Sequence, residues 1–376
     1  MAGIYLDYNA STPIAPEVQA AMLPLLETAY GNPSSGHWAS TPAKAALEHA
    51  RAQVAGLLGA SPDEIVFTSG GSEANNLALK GSFFALRERG EHIITEATEH
   101  PAVLQPLAFL ERLGASVTRL PVDGTGRVDP EAVRRAITPR TVLVSVMHAN
   151  NETGTLQPIK VIGTIAREHG IRFHTDAAQS VGKLPTKVDD LGVDLLSIAG
   201  HKLYAPKGIG ALYVRRGTAL EPLIHGAGHE AGRRAGTESV LMAAALGAAC
   251  ELARTNLDVG EPERLRALRD HFWQALQAIF GERVVLNGHA EHRLPNTLNV
   301  NFAGRIGAEV LAHLDGVAAS TGSACHAGRV ELSPVLAAMG VPEPVGMGAV
   351  RFSLGRGTTQ AEIDAVAERL RAIASR

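Results

Sequence analysis

Residues 142–175 read VLVSVMHANNETGTLQPIKVIGTIAREHGIRFHT. The stretch holds an apolar run at 142–148, a helical pattern at 158–169 and a second apolar run at 171–175. Two strands separated by a helix call for a crossover connection, which makes the strands parallel. The same alternation extends towards the N-terminus. Residues 65–68 read as a strand and 72–89 as a helix; 92–95 and 102–113 repeat the pair, as do 115–121 and 130–137. This predicts an α/β fold, a mainly parallel sheet with helices on both faces. Residues 195–199 and 210–214 are two more strands, joined by too little chain for a helical crossover, so this pair is expected to be antiparallel. An Ala-rich helix is expected over 235–254. The polar run 256–263, with Gly260 and Pro262, marks an expected boundary. Beyond it the order helix, strand, strand, helix, helix suits a smaller α+β domain.

The chain has 376 residues, room for two domains at roughly 100–200 residues each. With 45% hydrophobic and 19% charged residues it has the composition of a soluble protein with a large core. A formal net charge of -3 announces no basic face, so nucleic acid is not an expected partner. The opening MAGIYLDYNA lacks the pattern of a signal peptide. No unbroken apolar run approaches the roughly 18 residues of a membrane helix, so no membrane is expected either. Two cysteines, Cys250 and Cys325, exclude a disulfide framework and fit a reducing, cytoplasmic setting.

Several short motifs carry candidate chemistry. Ser69-Gly70-Gly71-Ser72-Glu73 follows the strand at 65–68 and opens a helix. Bare amides at such a point bind anions, although an ordinary tight turn has the same look. Asp176, in Phe173-His174-Thr175-Asp176-Ala177-Ala178-Gln179, stands at the C-terminal end of a parallel strand, the edge where α/β sheets collect ligands. It could pair with a cationic ring nitrogen or merely cap a helix. Lys202 closes the apolar strand Leu195-Leu196-Ser197-Ile198-Ala199 with Gly200-His201-Lys202. Desolvation there would favour a neutral amine, whereas most lysines are solvated. Cys325 lies in the small-residue run Thr321-Gly322-Ser323-Ala324-Cys325-His326-Ala327-Gly328, a setting for a nucleophilic thiol; Cys250, inside the Ala-rich helix, reads as packing. Arg351 offers a fork to a carboxylate, or to a structural ion pair.

Taken together these residues resemble the class V aminotransferase superfamily of pyridoxal-phosphate (PLP) enzymes, and within it the cysteine desulfurases and selenocysteine lyases. The likeness runs from Tyr5-Leu6-Asp7-Tyr8-Asn9-Ala10-Ser11-Thr12-Pro13 to Arg351-Phe352-Ser353-Leu354-Gly355-Arg356. It takes in Gly31-Asn32-Pro33-Ser34-Ser35, Thr98-Glu99-His100, Ala149-Asn150-Asn151-Glu152-Thr153-Gly154 and Arg234-Ala235-Gly236-Thr237. The resemblance implies the fold of PLP-dependent transferases of fold type I. A large PLP-binding domain is expected over 15–258, and a small α+β domain over 1–14 and 259–376, carrying the cysteine loop.

Roles follow from the resemblance, position by position. Lys202 matches the lysine that holds the cofactor and moves the substrate's α-proton. Asp176 matches the partner of the ring nitrogen, Gln179 the donor to the phenolic oxygen and His100 the imidazole stacked on the ring. Gly71, Ser72 and His201 match phosphate ligands. Thr237 matches a ligand supplied by the other subunit, which implies a homodimer. Asn151 and Arg351 match the clamp on the substrate carboxylate, with Asn151 beside the cofactor as well. Cys325 matches the sulfur acceptor. The implied function is conversion of L-cysteine to L-alanine with a persulfide left on Cys325. That sulfur would pass to an acceptor protein, an iron–sulfur scaffold among the candidates. L-Selenocysteine is the substrate in the alternative reading, a selenocysteine lyase. Another class V aminotransferase or lyase and a non-catalytic partner protein are the remaining readings. Ala199 departs from the phosphate-binding serine of many desulfurases. Asn9, the 174–179 run and Cys325-His326 are shared with the lyases, and Pro101 fits neither group's pattern.

Overall fold

The computed structural model describes residues 3–321 and 331–374. In chain order the strands are β1 (Ile4–Tyr5), β2 (Ile65–Thr68), β3 (His92–Glu96), β4 (Ser116–Leu120), β5 (Thr141–Ser145) and β6 (Arg172–Asp176). There follow β7 (Leu195–Ala199), β8 (Gly210–Val214), β9 (Val284–Leu286), β10 (Thr297–Phe302), β11 (Val317–Ala318) and β12 (Ala349–Ser353).

Seven strands make one sheet in the order β2-β8-β7-β6-β5-β3-β4. The neighbours from β7 to β4 are parallel, and β8 is antiparallel to both β7 and β2. The expected antiparallel pair is therefore β7 with β8. Strands β2, β3, β5, β7 and β8 are buried at every residue, as a sheet covered on both faces requires.

Two of these boundaries differ from the expectation, each for a local reason. The strand expected over 142–148 ends at Ser145, but the chain stays extended: Val146 N donates to His174 O at 3.2 Å and His148 N to Asp176 O at 2.9 Å. Asn150 and Asn151 are thereby carried to the C-terminal end of β6. The Ala-rich helix is Val240–Asp258, because residues 235–239 belong to the loop before it. Within the polar run 256–263 one helix ends at Asp258 and, after Val259 and Gly260 (φ 82°), the next spans Glu261–Phe280, with Pro262 in its first turn.

Val240–Asp258 is long and apolar enough to cross a membrane by length and composition. Here it packs along the helix Thr41–Leu58 and sends Ala243, Leu246, Ala249 and Cys250 into the core beside the large sheet. Burial pushes the Cys250 thiol far above its ordinary range, which leaves it an inert packing group.

A second cluster unites the two ends of the chain. Leu6 packs with Phe272, Phe302, Phe352, Ile363 and Leu370. Strands β12-β10-β9 form an antiparallel sheet under it, and β1 pairs in parallel with β11. β12 and the short helices Pro334–Ala338 and Glu343–Gly346 are missing from the expected element order. All five residues of β12 are buried, so its polar residues Arg351 and Ser353 spoil the apolar signal without facing solvent. Phe272 is fully buried and meets Phe352 edge-on, with centroids 5.1 Å apart. Phe272→Ala should cost about 3–5 kcal/mol of stability, measured by denaturant unfolding; a loss below about 1 kcal/mol would mean this core is not load-sharing.

Candidate active site

A cavity of about 570 Å³ opens at the C-terminal ends of β6 and β7. Gly71, Ser72, His100, Asn151, Asp176, Gln179, His201, Lys202 and Arg351 all line it. Thr237 does not line the cavity of its own chain and is exposed. Cys325 lies outside the described residues.

Lys202 ends the 3-10 turn Gly200–Lys202 that follows β7. A Cβ on Gly200 would come within 2.8 Å of Ile209 O, so glycine lets this turn lie against the start of β8. Lys202 Nζ donates to Asn9 O at 2.6 Å and Ala10 O at 2.7 Å. Burial, helped by the nearby positive charge of Arg351, brings the amine down to about 8; Asp7 and Asp176 pull the other way. Burial also takes His201 down to about 4, with Lys202 adding to it, so His201 is neutral at pH 7.

Asp176 is the last residue of β6. Its Oδ1 accepts from Ala178 N at 2.9 Å and its Oδ2 from Asn75 Nδ2 at 2.6 Å. The carboxylate thus bonds the turn that follows β6 and also lines the cavity. His100 precedes the helix Pro101–Glu111, and its Nδ1 accepts from Ala102 N at 3.0 Å. That bond assigns the proton of the neutral ring to Nε2. Burial, with Lys202 nearby, holds the imidazole below its ordinary range, against the pull of Asp176. Behind it, burial drives the Glu99 carboxyl well up, and the charges of Glu96 and Asp176 add to the effect.

Asn9 is the hub of the site. Its carbonyl accepts from Lys202 and from Gln179 Nε2 at 2.9 Å; its Nδ2 donates to Thr297 Oγ1 at 2.9 Å and to Asn151 O at 3.2 Å. Lys183 Nζ reaches Gln179 Oε1 at 3.0 Å, which fixes the orientation of that amide. Arg351 comes across from β12. Its Nη1 donates to Asn151 O at 2.9 Å and its Nη2 to Asp7 Oδ1 at 2.8 Å. The guanidinium is thus oriented by protein partners before any ligand arrives.

Gly70 caps the helix Gly71–Leu86 with φ 153°, a region open only to glycine, and no side chain caps the first-turn amides. A Cβ at Gly210 would lie 2.7 Å from the Gly70 backbone, so the turn sits tight on the sheet edge. The donor set has an anion cradle at Gly71 and Ser72, a fixed carboxylate at Asp176, and a desolvated amine at Lys202. It fits a phosphorylated ring that carries a cationic nitrogen and an electrophilic carbon. Asn75, Asp7 and Lys183 were not singled out by sequence, and Asn9 was noted only as part of the family likeness, with no role at the site. Asn75 follows Gly71 by one helical turn, a spacing that could have flagged it; the others come from distant segments and carry no such signal.

The aminotransferase class-V family model matches residues 4–366, so the chain belongs to the class-V aminotransferase family. Within that family it is similar to the cysteine desulfurase IscS of Dictyoglomus turgidum, 50% identical over 96% of this chain and 92% of that one. Among solved structures it resembles a NifS-like protein with a TM-score of 0.92 and 35% identity, covering 99% of both chains. It also resembles SspA in complex with cysteine, with a TM-score of 0.82 and 41% identity over 93% of this chain and 98% of that one.

The lowered proton affinity of Lys202 has a direct readout. In protein freed of any bound cofactor, labelling of Lys202 by an amine-reactive reagent should be half-maximal near pH 8. Half-maximal labelling at the ordinary lysine value of about 10.4 would contradict the desolvated site.

Proposed function

We propose that this chain is a PLP-dependent cysteine desulfurase. It converts L-cysteine to L-alanine, leaves the sulfur as a persulfide on Cys325, and works as a homodimer. The sulfur then passes to an acceptor protein for iron–sulfur cluster or other sulfur-cofactor synthesis. The observation that carries the reading is a single cavity that holds the desolvated Lys202 amine, the Asp176 carboxylate and the uncapped amides of Gly71 and Ser72. The 50% identical relative named as a cysteine desulfurase and the solved cysteine complex of a 41% identical protein support the substrate. Exposure of Thr237 away from its own cavity supports a role in a second subunit's site. The separate Leu6–Phe352 cluster supports a division into a large domain, 15–258, and a small one, 1–14 with 259–376.

In this reading PLP supplies the electron sink at the substrate's α-carbon. Lys202 would hold the cofactor and would carry the α-proton of the substrate, and an amine lowered to about 8 suits both roles. Asp176, held by Asn75 and Ala178 N, keeps a proton on the ring nitrogen. Gln179 turns its N–H towards the phenolic oxygen because Lys183 holds its carbonyl end. His100, with its N–H on Nε2, would face the cofactor ring from the cavity wall. Gly71, Ser72 and neutral His201 take the phosphate with the partner subunit's Thr237. Arg351, pre-oriented by Asp7, and Asn151 receive the substrate carboxylate. The Cys325 thiolate attacks the substrate sulfur: an S–S bond forms, the C–S bond breaks, and the carbon takes the electron pair and is protonated to alanine.

Sulfide and selenide release from L-cysteine and L-selenocysteine, with and without reductant, tests this function. Wild-type protein should turn over both. Cys325→Ala should lose sulfide release and keep part of its selenide release, because a thiol, with a pKa near about 8.5, is the poorer leaving group. Selenide without measurable sulfide from the wild type would make it a selenocysteine lyase. Full cysteine turnover by Cys325→Ala would overturn the persulfide step.

A further inference from the structure

A carboxylate stands at the cradle that has to receive a phosphate. Glu73, two residues past Gly71, lines the cavity, and its side chain is 11% exposed. Left unpaired it would repel a dianion a few ångströms away. It is not unpaired: Arg234 Nε donates to Glu73 Oε1 at 2.8 Å and Arg234 Nη2 to Oε2 at 3.3 Å. Oε2 also accepts the main-chain N–H of Ser69 at 2.8 Å, so the same carboxylate shapes the turn before the cradle. Burial alone would push the Glu73 carboxyl up; the bonds from Arg234 and Ser69 outweigh it and hold it below its ordinary range.

Arg234 comes from the loop that carries Thr237, and that loop is clipped to the same strand a second time. Arg51 grips both oxygens of Glu230 at 2.7 and 2.8 Å, and Glu230 Oε2 accepts from Phe67 N at 3.0 Å. Phe67 lies on β2, the edge strand of the sheet, and Ser69 is two residues further on. Two arginine-paired carboxylates thus take alternate amides of one strand and turn. The loop between them holds Glu230 and Ala231 at φ 50° and 55°, conformations that persist only where surrounding contacts impose them. Gly236 (φ 108°) turns the chain back, with a Cβ position only 3.1 Å from Arg234 Nη1.

We propose that Arg234 is a positioning residue of the phosphate cradle: it cancels the Glu73 charge and fastens the Thr237 loop to the Gly70–Ser72 turn, so phosphate affinity depends on the pair. The inference rests on the cofactor reading above and adds residues to it. It makes the charge on Glu73, rather than the shape of the turn, the quantity that Arg234 controls.

Binding constants of cofactor-free protein for pyridoxal 5′-phosphate, for pyridoxal and for inorganic phosphate test it. Light scattering and circular dichroism on each variant check assembly and fold. Arg234→Met should weaken pyridoxal phosphate and inorganic phosphate by about tenfold or more, the scale of a half-buried charge stripped of its partner, and leave pyridoxal nearly unchanged. Glu73→Gln, whose amide oxygen still accepts from Ser69, should stay within about threefold of wild type for the two phosphate ligands. The double variant should recover most of the loss. Unchanged phosphate binding in Arg234→Met, a double variant as weak as Arg234→Met, or an equal loss for pyridoxal would each overturn the proposal. A wild type that shows this pattern with inorganic phosphate but binds no pyridoxal phosphate would overturn the cofactor reading alone. A wild type that binds neither would overturn both.

Discussion

Lys202 Nζ is held by the carbonyls of Asn9 and Ala10, and through that contact the two halves of the molecule meet. The lysine ends the turn that follows β7 of the large sheet; the carbonyls belong to the segment that leaves β1 and runs past the small sheet. Asn9 itself is buried and binds residues from both sides: Gln179 and Lys202 from one, Asn296, Thr297 and Ser353 from the other. Burying so many polar groups is tolerable only where nearly every one is bonded. The N-terminal segment therefore has one path, and that path sets the distance between Lys202 and Arg351. In the proposed function, the substrate carboxylate and the cofactor would have to fit within that distance.

The second constraint is the crowding of charge at a desolvated sheet edge. Asp176, Glu99, Glu96, Lys202, Lys183 and Arg351 crowd one largely buried region, where charges act on one another more strongly than in water. Burial moves Glu96 and Glu99 up and the two amines down: Glu96 to about 7, Lys183 to about 7, Lys202 to about 8. Proton exchange near neutral pH is thus available to groups that in water would be locked in one state. Glu152 follows the same rule, pushed to about 7 by burial, with a hydrogen bond from Ser333 that tethers the helix Pro334–Ala338.

Most of the large sheet was legible in the sequence because its strands are apolar throughout and its helices alternate with them at crossover spacing. The antiparallel β7–β8 pair was legible from the short link alone. Asp176 and Lys202 could be placed because each ends a strand, where edge position and chemistry coincide. What stayed illegible depends on contacts between remote segments. Asn9 and Asp7 act through partners more than a hundred residues away, and no local period marks them; Lys183 holds Gln179 four residues before it, but outside any helix that would give the spacing meaning. β12 was read only as a strand near Arg351 and left out of the element order, because a strand whose polar residues serve a buried site breaks the apolar pattern. The late start of Val240–Asp258 escaped for a related reason: tertiary ion pairs at Glu230 and Arg234 hold the preceding loop, overriding the helical propensity of an Ala-rich stretch.

The central claim is that the desolvated amine at the end of β7 holds the cofactor. Borohydride reduction of the purified protein, followed by peptide mass mapping, tests it most directly. The account predicts loss of the visible absorption band and a reduced pyridoxyl phosphate adduct on Lys202. An adduct on Lys183, Lys207 or any other lysine, or no adduct at all, would contradict it.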